Sequence, residues 1–227
     1  MAKLSKRQEY LSTLEERKYS VSEAIQFLKS GPKTNFEESV DVSVNLGIDA
    51  SKSDQTVRSA ISLPAGTGKT CKVAVFAEAE QAKEALEAGA DAVGMEDLAE
   101  KIKKGEDNFD VVIATPTTMM IVSPLGKILG PKGTMPNPKT GTVTMDIAKA
   151  VTEMKAGKIE FRVEKNGIIH NSIGKISFPK EKIVENAKVF VNAILKAKPQ
   201  AAKGVYMKKV TMASTMGPGI KLDKSSI

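Results

Sequence analysis

Apolar and polar residues alternate strictly in two stretches near the start of the chain. SVDVSVNLGI carries an apolar residue at every second position from Val40 to Ile48, which is typical of a strand with one buried face. TVRSAISL repeats this pattern at Val57, Ile61 and Leu63. Each stretch therefore predicts a half-buried strand.

An amphipathic helix is predicted just before these strands, in SVSEAIQFLKSGP. Ser20 and Glu23 have the spacing of a capping box, and Gly31-Pro32 ends the pattern. The apolar residues between them recur three and four positions apart, so they would share one face of the helix.

The pattern changes after Pro64. KVAVFA and FDVVIA are continuous apolar runs, as expected for strands buried on both faces of a parallel sheet. They are separated by an Ala-rich helix that ends at Gly89, a short ADAVG segment and a helix around Leu98 and Ile102. Together with a helix in DIAKAVTEMKAG, they predict a small α/β domain.

Alternation returns after Gly157. KIEFRVEKNGIIHNSIGKISF predicts a β-hairpin that turns at Asn166-Gly167, the strongest short-range hairpin signal. A long amphipathic helix and a last strand around GVYMKKVTM follow. The apolar face predicted for that helix consists of Ile183, Ala187, Phe190, Val191 and Ile194.

The fold class that follows is two-part. Residues 1–66 and 159–227 form a split terminal α+β domain, with helices and an antiparallel or mixed sheet. Residues 67–158 form an inserted α/β domain, a Rossmann-like three-layer structure. The chain crosses between them at two glycine-bearing segments, which predict a hinge at Pro64, Gly66, Gly68 and Gly157.

Charge is concentrated at the C-terminal end of this 227-residue chain. Its net charge is +7, and residues 159–227 hold 13 Lys and Arg against 5 acidic residues. Such an excess indicates a polyanionic partner such as nucleic acid, or else a well-solvated lysine-rich surface. The absence of Trp and the 4% of aromatic residues disfavour a surface built on base-stacking platforms.

Several other classes of function are disfavoured. With one cysteine, Cys71, and one histidine, His170, we expect no disulfide, no metal site and no cofactor. No apolar run approaches the roughly 20 residues of a membrane span, so no membrane partner is expected.

The stretch LPAGTGKT, residues 63–70, resembles the end of a phosphate-binding loop. That motif requires a glycine separated by four residues from its Gly-Lys pair, and Leu63 stands there. The motif should also open a helix, whereas CKVAVFA predicts a strand. We therefore interpret this stretch as an interdomain crossing and expect no catalytic residues.

SPLGKILGPKGTMPNPKTGTV, residues 123–143, is the segment most typical of a binding loop. It contains Lys127, Lys132 and Lys139, four prolines and no acidic residue. Glycine lets the backbone approach a ligand closely, and lysine supplies charge to phosphate. A long irregular loop is uncommon unless it is functional, although the Gly and Pro residues could serve only its turns.

GKILGPKGTMPNPKTGTV also closely resembles the signature of the L1 family of large-subunit ribosomal proteins. Further matches are KTNFEESVDVSVNLGID with SDQTVR, LPAGTGK, GKIEFRVEKNGIIHNSIGKISF and STMGPG, in the family's order over some 200 residues. Ala65 stands where the family often has histidine. The resemblance identifies a bacterial-type member.

This resemblance implies a two-domain RNA-binding protein without catalytic activity, monomeric when free. The split domain would bind large-subunit ribosomal RNA in the mobile stalk, which moves with transfer RNA leaving the exit site. It could also bind its own messenger RNA and repress translation. A cytoplasmic ribosome is expected, with an organellar ribosome as the alternative.

The site residues carried over from the family lie in the split domain. They are Lys33, Phe36, Glu38, Ser39, Lys165, Gly167, His170, Lys209, Thr215, Met216, Gly217 and Gly219. Lys127, Lys132 and Lys139 would make a second, weaker RNA contact. Two other hypotheses remain open: a nucleotide-binding enzyme built on the inserted domain, and a basic scaffold with nonspecific RNA contacts.

Overall fold

The computed structural model describes residues 6–32, 34–105 and 108–224. The described residues form two compact units, one from those between 6 and 68 and between 161 and 224, and the other from those between 69 and 160. We call them unit 1 and unit 2. In the described part of the chain, no helix has the length and apolar character needed to span a membrane.

The fold is mixed α/β. In chain order its helices and strands are α1 (Lys6–Ser12), α2 (Val21–Ser30), β1 (Ser39–Leu46), β2 (Arg58–Ser62), β3 (Val73–Phe76), α3 (Ala79–Glu87), β4 (Ala92–Gly94), α4 (Glu96–Lys103), β5 (Val111–Ala114), α5 (Met119–Val122), α6 (Gly126–Lys132), α7 (Ile147–Lys155), β6 (Lys158–Arg162), β7 (Ile168–Lys175), α8 (Lys180–Lys196), β8 (Met207–Ser214) and β9 (Ile220–Lys221).

Helix α2 begins where its capping box predicts. The Glu23 N–H donates to Ser20 Oγ at 3.3 Å, and the Ser20 N–H donates to the Glu23 carboxylate at 3.0 Å. These bonds satisfy two backbone donors that the first turn leaves without helical partners. The buried face of α2 is Val21, Ala24, Ile25 and Leu28.

Unit 1 is built on an antiparallel sheet of strand order β7-β1-β8-β9. Strand β1 lies between β7 and β8, and Val40, Val42, Val44 and Leu46 bury its inner face. Helix α8 packs on the same core, where Phe190 meets Phe161 edge to face at 5.8 Å. All five residues predicted for the apolar face of α8 are buried, which confirms that prediction.

The predicted hairpin at Asn166-Gly167 is wrong as a pair of hydrogen-bonded strands. The turn forms, with Gly167 at φ 73° and the Glu164 N–H donating to the Ile168 carbonyl at 2.9 Å. However, β6 pairs with β2, and β7 pairs with β1. The local turn signal was correct, but pairing with β1 determines where β7 lies.

Unit 2 contains a parallel sheet of strand order β4-β3-β5. Every residue of β3 is buried, because side chains on its two faces enter different apolar clusters. One cluster includes residues of α3 and α7, and the other includes residues of α4, α5 and α6. The continuous apolar runs therefore predicted these doubly buried strands correctly.

Residues 123–143 are not the long irregular loop that their glycines and prolines predicted. A 3₁₀ turn at Ser123–Leu125 leads into helix α6, and a second 3₁₀ turn covers Pro138–Thr140. Leu125 and Leu129 lie four residues apart and are buried against the α4 side of the sheet. Their burial stabilises a helix despite its Gly and Pro content.

Candidate nucleic-acid interface

The segment entering β1 and the turn leaving β8 lie together at one end of the unit 1 sheet. These strands are antiparallel neighbours, and Val40 is opposite Ser214. The Ser39 N–H donates to Thr215 Oγ1 at 3.0 Å, and the Thr215 N–H donates to the Ser39 carbonyl at 3.1 Å. Two segments distant in sequence are thereby held as one surface, which we call the β1–β8 edge (residues 36–39 and 214–217).

Glu38 is the buried acid of this edge, with only 6% of its surface exposed. Its carboxylate accepts a hydrogen bond from the Met216 N–H at 3.2 Å. Burial raises the pKa of Glu38, but hydrogen bonds from Ser214, Met216 and Thr34, with the nearby Arg7 charge, outweigh it and hold the pKa below its usual value. The ionised Glu38 carboxylate therefore holds the turn at residues 214–217 in place through hydrogen bonds within the protein.

Gly217 leaves no room for a side chain unless Ser214 shifts. A Cβ atom at this position would collide with Ser214 Oγ and lie 3.3 Å from the Leu28 side chain. At Gly219 a Cβ atom would only approach the Thr211 methyl at 3.3 Å. The predicted residues Phe36, Thr215 and Met216 are exposed around this turn, Phe36 and Met216 with 52% and 46% of their surface.

The outer face of the unit 1 sheet is polar. Ser43 on β1 lies between His170 on β7 and Thr211 on β8, and its hydroxyl is 2.9 Å from His170 Nδ1. Thr211 is in turn opposite Lys221 on β9. The row thus presents hydroxyl, imidazole and ammonium groups side by side, and it contains the predicted residue His170.

Two more lysines extend this face. Lys209 is exposed and opposite Asn45, near the far end of β1. At the near end, Lys175 Nζ donates to Ser39 Oγ at 3.0 Å. Sequence reasoning missed Lys175, Lys221 and the hydroxyls between them, because alternation along β1 predicts a polar face but not which strands pair across it.

The other predicted RNA-binding residues lie apart from the β1–β8 edge. Gly167 has no side chain, but its carbonyl accepts a hydrogen bond from the Leu46 N–H at 2.8 Å. This bond places the turn at Gly167 beside the end of β1. Because β1 has eight residues, this turn and its exposed Lys165 lie about 25 Å from Ser39. Lys33 lies outside the described residues.

Comparison with known proteins agrees with the resemblance noted in the sequence. The model of the Ribosomal protein L1p/L10e family matches residues 28–218. The chain belongs to this family. It is also 56% identical to the large ribosomal subunit protein uL1 of Francisella philomiragia over 229 residues, covering 100% of this chain and 99% of that protein. The same identity holds for the uL1 protein of Pseudoalteromonas atlantica, with 100% and 98% covered.

The L1p/L10e family is structural and non-enzymatic, and the structure of LPAGTGKT is consistent with that. The stretch follows β2 and precedes strand β3 rather than a helix. Lys69, which would contact phosphate in a nucleotide-binding loop, instead forms an ion pair with Asp110. A hydrogen bond from Lys69 and another from the Lys72 N–H lower the pKa of Asp110.

The crossing segment of this L1p/L10e chain is attached to α8. Asn186, fully buried, accepts the Ala65 N–H at 3.2 Å and donates to the carbonyls of Gly66 at 3.0 Å and Ile173 at 2.7 Å. The predicted hinge glycines Gly66, Gly68 and Gly157 all have positive φ, of 67°, 72° and 103°. This role of Asn186 was not predicted from the sequence. The position of its polar amide next to the apolar face of α8 was the feature that could have indicated it.

The three lysines of the predicted second contact lie in unit 2. Lys127 and Lys132 are exposed on α6, and Lys139 is exposed in the following 3₁₀ turn. Asn137 caps that turn by accepting the Lys139 N–H at 2.8 Å. They therefore project from short helical elements rather than from an irregular loop.

Proposed function

We propose that this chain is a structural component of the large ribosomal subunit. Unit 1 binds stalk ribosomal RNA through the β1–β8 edge and the outer sheet face. The protein takes part in releasing transfer RNA from the exit site, and it represses translation by binding its own messenger RNA. We place it on a cytoplasmic ribosome.

The observation that carries this proposal is the β1–β8 edge. Ser39 and Thr215 hydrogen-bond each other, and Glu38 accepts the Met216 N–H, so the surface is formed before any RNA arrives. A preformed surface avoids the entropy cost of ordering a flexible loop on binding. The adjacent sheet face supplies hydroxyls and lysines, which suit the ribose and phosphate groups of RNA.

Unit 2 has a separate part in the proposal. We assign it as an inserted Rossmann-like three-layer domain, supported by its parallel sheet with helices packed on both faces. Lys127, Lys132 and Lys139 make its weaker RNA contact. Pro64, Gly66, Gly68 and Gly157 act as the hinge, which lets the stalk move with the departing transfer RNA.

The RNA-binding proposal is tested by measuring affinity for a stalk ribosomal RNA fragment against salt concentration. Phosphate contacts release counterions, so the logarithm of affinity should fall linearly with the logarithm of salt concentration. A large excess of bulk transfer RNA should leave the complex intact. A flat salt plot would exclude dominant phosphate contacts, and full competition would indicate a nonspecific scaffold.

Gly217→Ala tests the β1–β8 edge itself. Its new methyl group must displace Ser214, which hydrogen-bonds Glu38, so RNA affinity should fall about 10- to 100-fold. Asn192→Ala is the control, because Asn192 is exposed on α8 and belongs neither to the β1–β8 edge nor to the lysine contact of α6. Equal affinities of the two variants would remove the edge from the RNA-binding surface.

The repressor role needs its own experiment. Adding the purified protein to cell-free translation should reduce synthesis from a message that carries the protein's own leader. A message with an unrelated leader is the control. Equal synthesis from both messages would remove repression from the proposal and leave ribosomal RNA binding untouched.

A further inference from the structure

Unit 1 has an apolar pocket beside the β1–β8 edge, with a volume of about 360 Å³. Arg7, Tyr10 and Leu11 of helix α1 line one side, and Phe36 and Met216 line another. This volume lies near the lower end of the roughly 300–1,000 Å³ typical of ligand pockets. Helix α1 precedes the residues that the family model matches.

Helix α1 is fixed in place by contacts with α2. The Tyr10 ring stacks on Phe27 with 4.6 Å between centroids, and the Tyr10 hydroxyl donates to the Phe27 carbonyl at 2.6 Å. One ring contact and one hydrogen bond thus hold the same residue from two directions. These contacts fix the position of the α1 residues that line the pocket.

The pocket gathers exposed apolar side chains. Leu11, Phe36 and Met216 have 41%, 52% and 46% of their surface exposed, and they are three of the eight large hydrophobic residues exposed in the described part of the chain. Exposed apolar side chains that converge on one concavity indicate a ligand with an apolar face. An aromatic ring and a methionine suit a flat ligand.

The charges around the pocket indicate the rest of the ligand. Arg7 and Lys29 line it as cations, and Glu38 is the carboxylate among its lining residues. Lys29 Nζ already donates to the Phe178 carbonyl and Arg7 lies near the Glu38 charge, so the lining carries two cations against one carboxylate. A ligand with a flat apolar part and an anionic part matches this lining, and a nucleotide has both.

We infer that this pocket takes one unstacked nucleotide of the bound RNA, with its base against Phe36 and its phosphate near Arg7. The inference rests on the proposed RNA-binding function, because Glu38 and Met216 belong to both the pocket and the β1–β8 edge. RNA bound at that edge passes directly beside the pocket. Unpaired RNA bases are free to leave the stack, whereas paired bases are not.

The test uses the full-length protein and a stalk ribosomal RNA fragment. Each unpaired nucleotide of the fragment is replaced in turn by an abasic one, and affinity is measured. One position should lose about tenfold in affinity, the effect of one base–aromatic stack. A uniform response along the fragment would overturn the inference.

Leu11→Trp is the protein-side test, because a larger side chain on the α1 side reduces the space in the pocket and Leu11 itself lies outside the β1–β8 edge. It should bind the intact fragment about as weakly as the wild type binds the sensitive abasic fragment. The abasic substitution should then cost this variant nothing further. Leu195→Trp, on α8 and also partly exposed, is the matched control and should bind like the wild type.

The outcomes separate the two proposals. If the wild-type protein binds no stalk RNA, the proposed function fails and the inference fails with it. If it binds but Leu11→Trp binds equally well, only the pocket assignment fails. If Leu11→Trp does not fold, as judged by circular dichroism, the abasic series on the wild-type protein still decides.

Discussion

At the scale of single residues, Glu38 shows how a charge can organise a surface without facing a ligand. It is almost fully buried, yet it is ionised because Ser214, Thr34 and the Met216 N–H donate to it. A buried carboxylate in this position contributes to stability only while these donors remain in place. The same bonds set the position of the turn that holds Thr215 and Gly217.

The lowered pKa of Glu38 predicts a dependence of stability on pH. A carboxyl group whose folded-state pKa lies below its unfolded value, about 4.3, stabilises the fold above that value. This contribution is lost as pH falls through the folded-state pKa. Glu38→Gln should therefore be about 1–2 kcal/mol less stable at pH 7, with the difference shrinking below about pH 4.

Urea unfolding at a series of pH values measures this effect. Glu185→Gln is the control, since Glu185 is exposed on α8. The expected result is that the difference in the free energy of unfolding between Glu38→Gln and the wild type shrinks on acidification. If that difference stays constant with pH, as it should for Glu185→Gln, the buried carboxylate does not make the proposed contribution.

At the scale of helices and strands, elements determined by their own pattern could be predicted from the sequence. Helix α2 has both a capping box and an apolar face, α8 has a long apolar face, and β1 alternates strictly. Each of these signals is local and agrees with the tertiary packing. For the same reason, the position of the β1 polar face could be predicted.

Elements determined by distant contacts could not be predicted. Strand β7 follows a strong hairpin turn but pairs with β1, more than a hundred residues away in sequence. Helix α6 contains Gly130 and Pro131, yet burial of Leu129 stabilises it. Helix α1 has only seven residues and depends on Tyr10 packing against Phe27, so its own sequence gave no signal.

Asn186 links one helix to the crossing segment and gives a prediction at this scale. Asn186→Leu keeps the branched shape of the side chain but leaves the Ala65 N–H and the carbonyls of Gly66 and Ile173 without their partner. We expect a loss of about 1–3 kcal/mol in the free energy of unfolding. Amide hydrogen exchange at Ala65 should also become faster.

Asn192→Leu is the matched control for that change, because Asn192 lies on the same helix and is exposed. Chemical denaturation and exchange measurements on both variants separate the lost hydrogen bonds from a general effect of leucine on α8. Unchanged exchange at Ala65 in Asn186→Leu would show that the amide side chain does not hold the crossing segment.

At the scale of the whole molecule, each unit has an apolar core of its own. The core of unit 1 lies between its antiparallel sheet and helices α2 and α8. The two clusters of unit 2 lie on opposite faces of its parallel sheet. All of the β1–β8 edge belongs to unit 1, so the proposed main RNA contact and the proposed weaker lysine contact lie in different units.

Removal of the inserted unit tests this division of labour. Residues 69–157 are replaced by a short Gly/Ser linker, which keeps β6 intact so that it can still pair with β2. The shortened protein should fold and bind the stalk RNA fragment within about tenfold of the full chain, since only the weaker lysine contacts are lost. Circular dichroism and a cooperative unfolding transition establish folding before affinity is compared. A folded deletion protein that fails to bind would show that unit 2, and not the β1–β8 edge, carries the RNA contact.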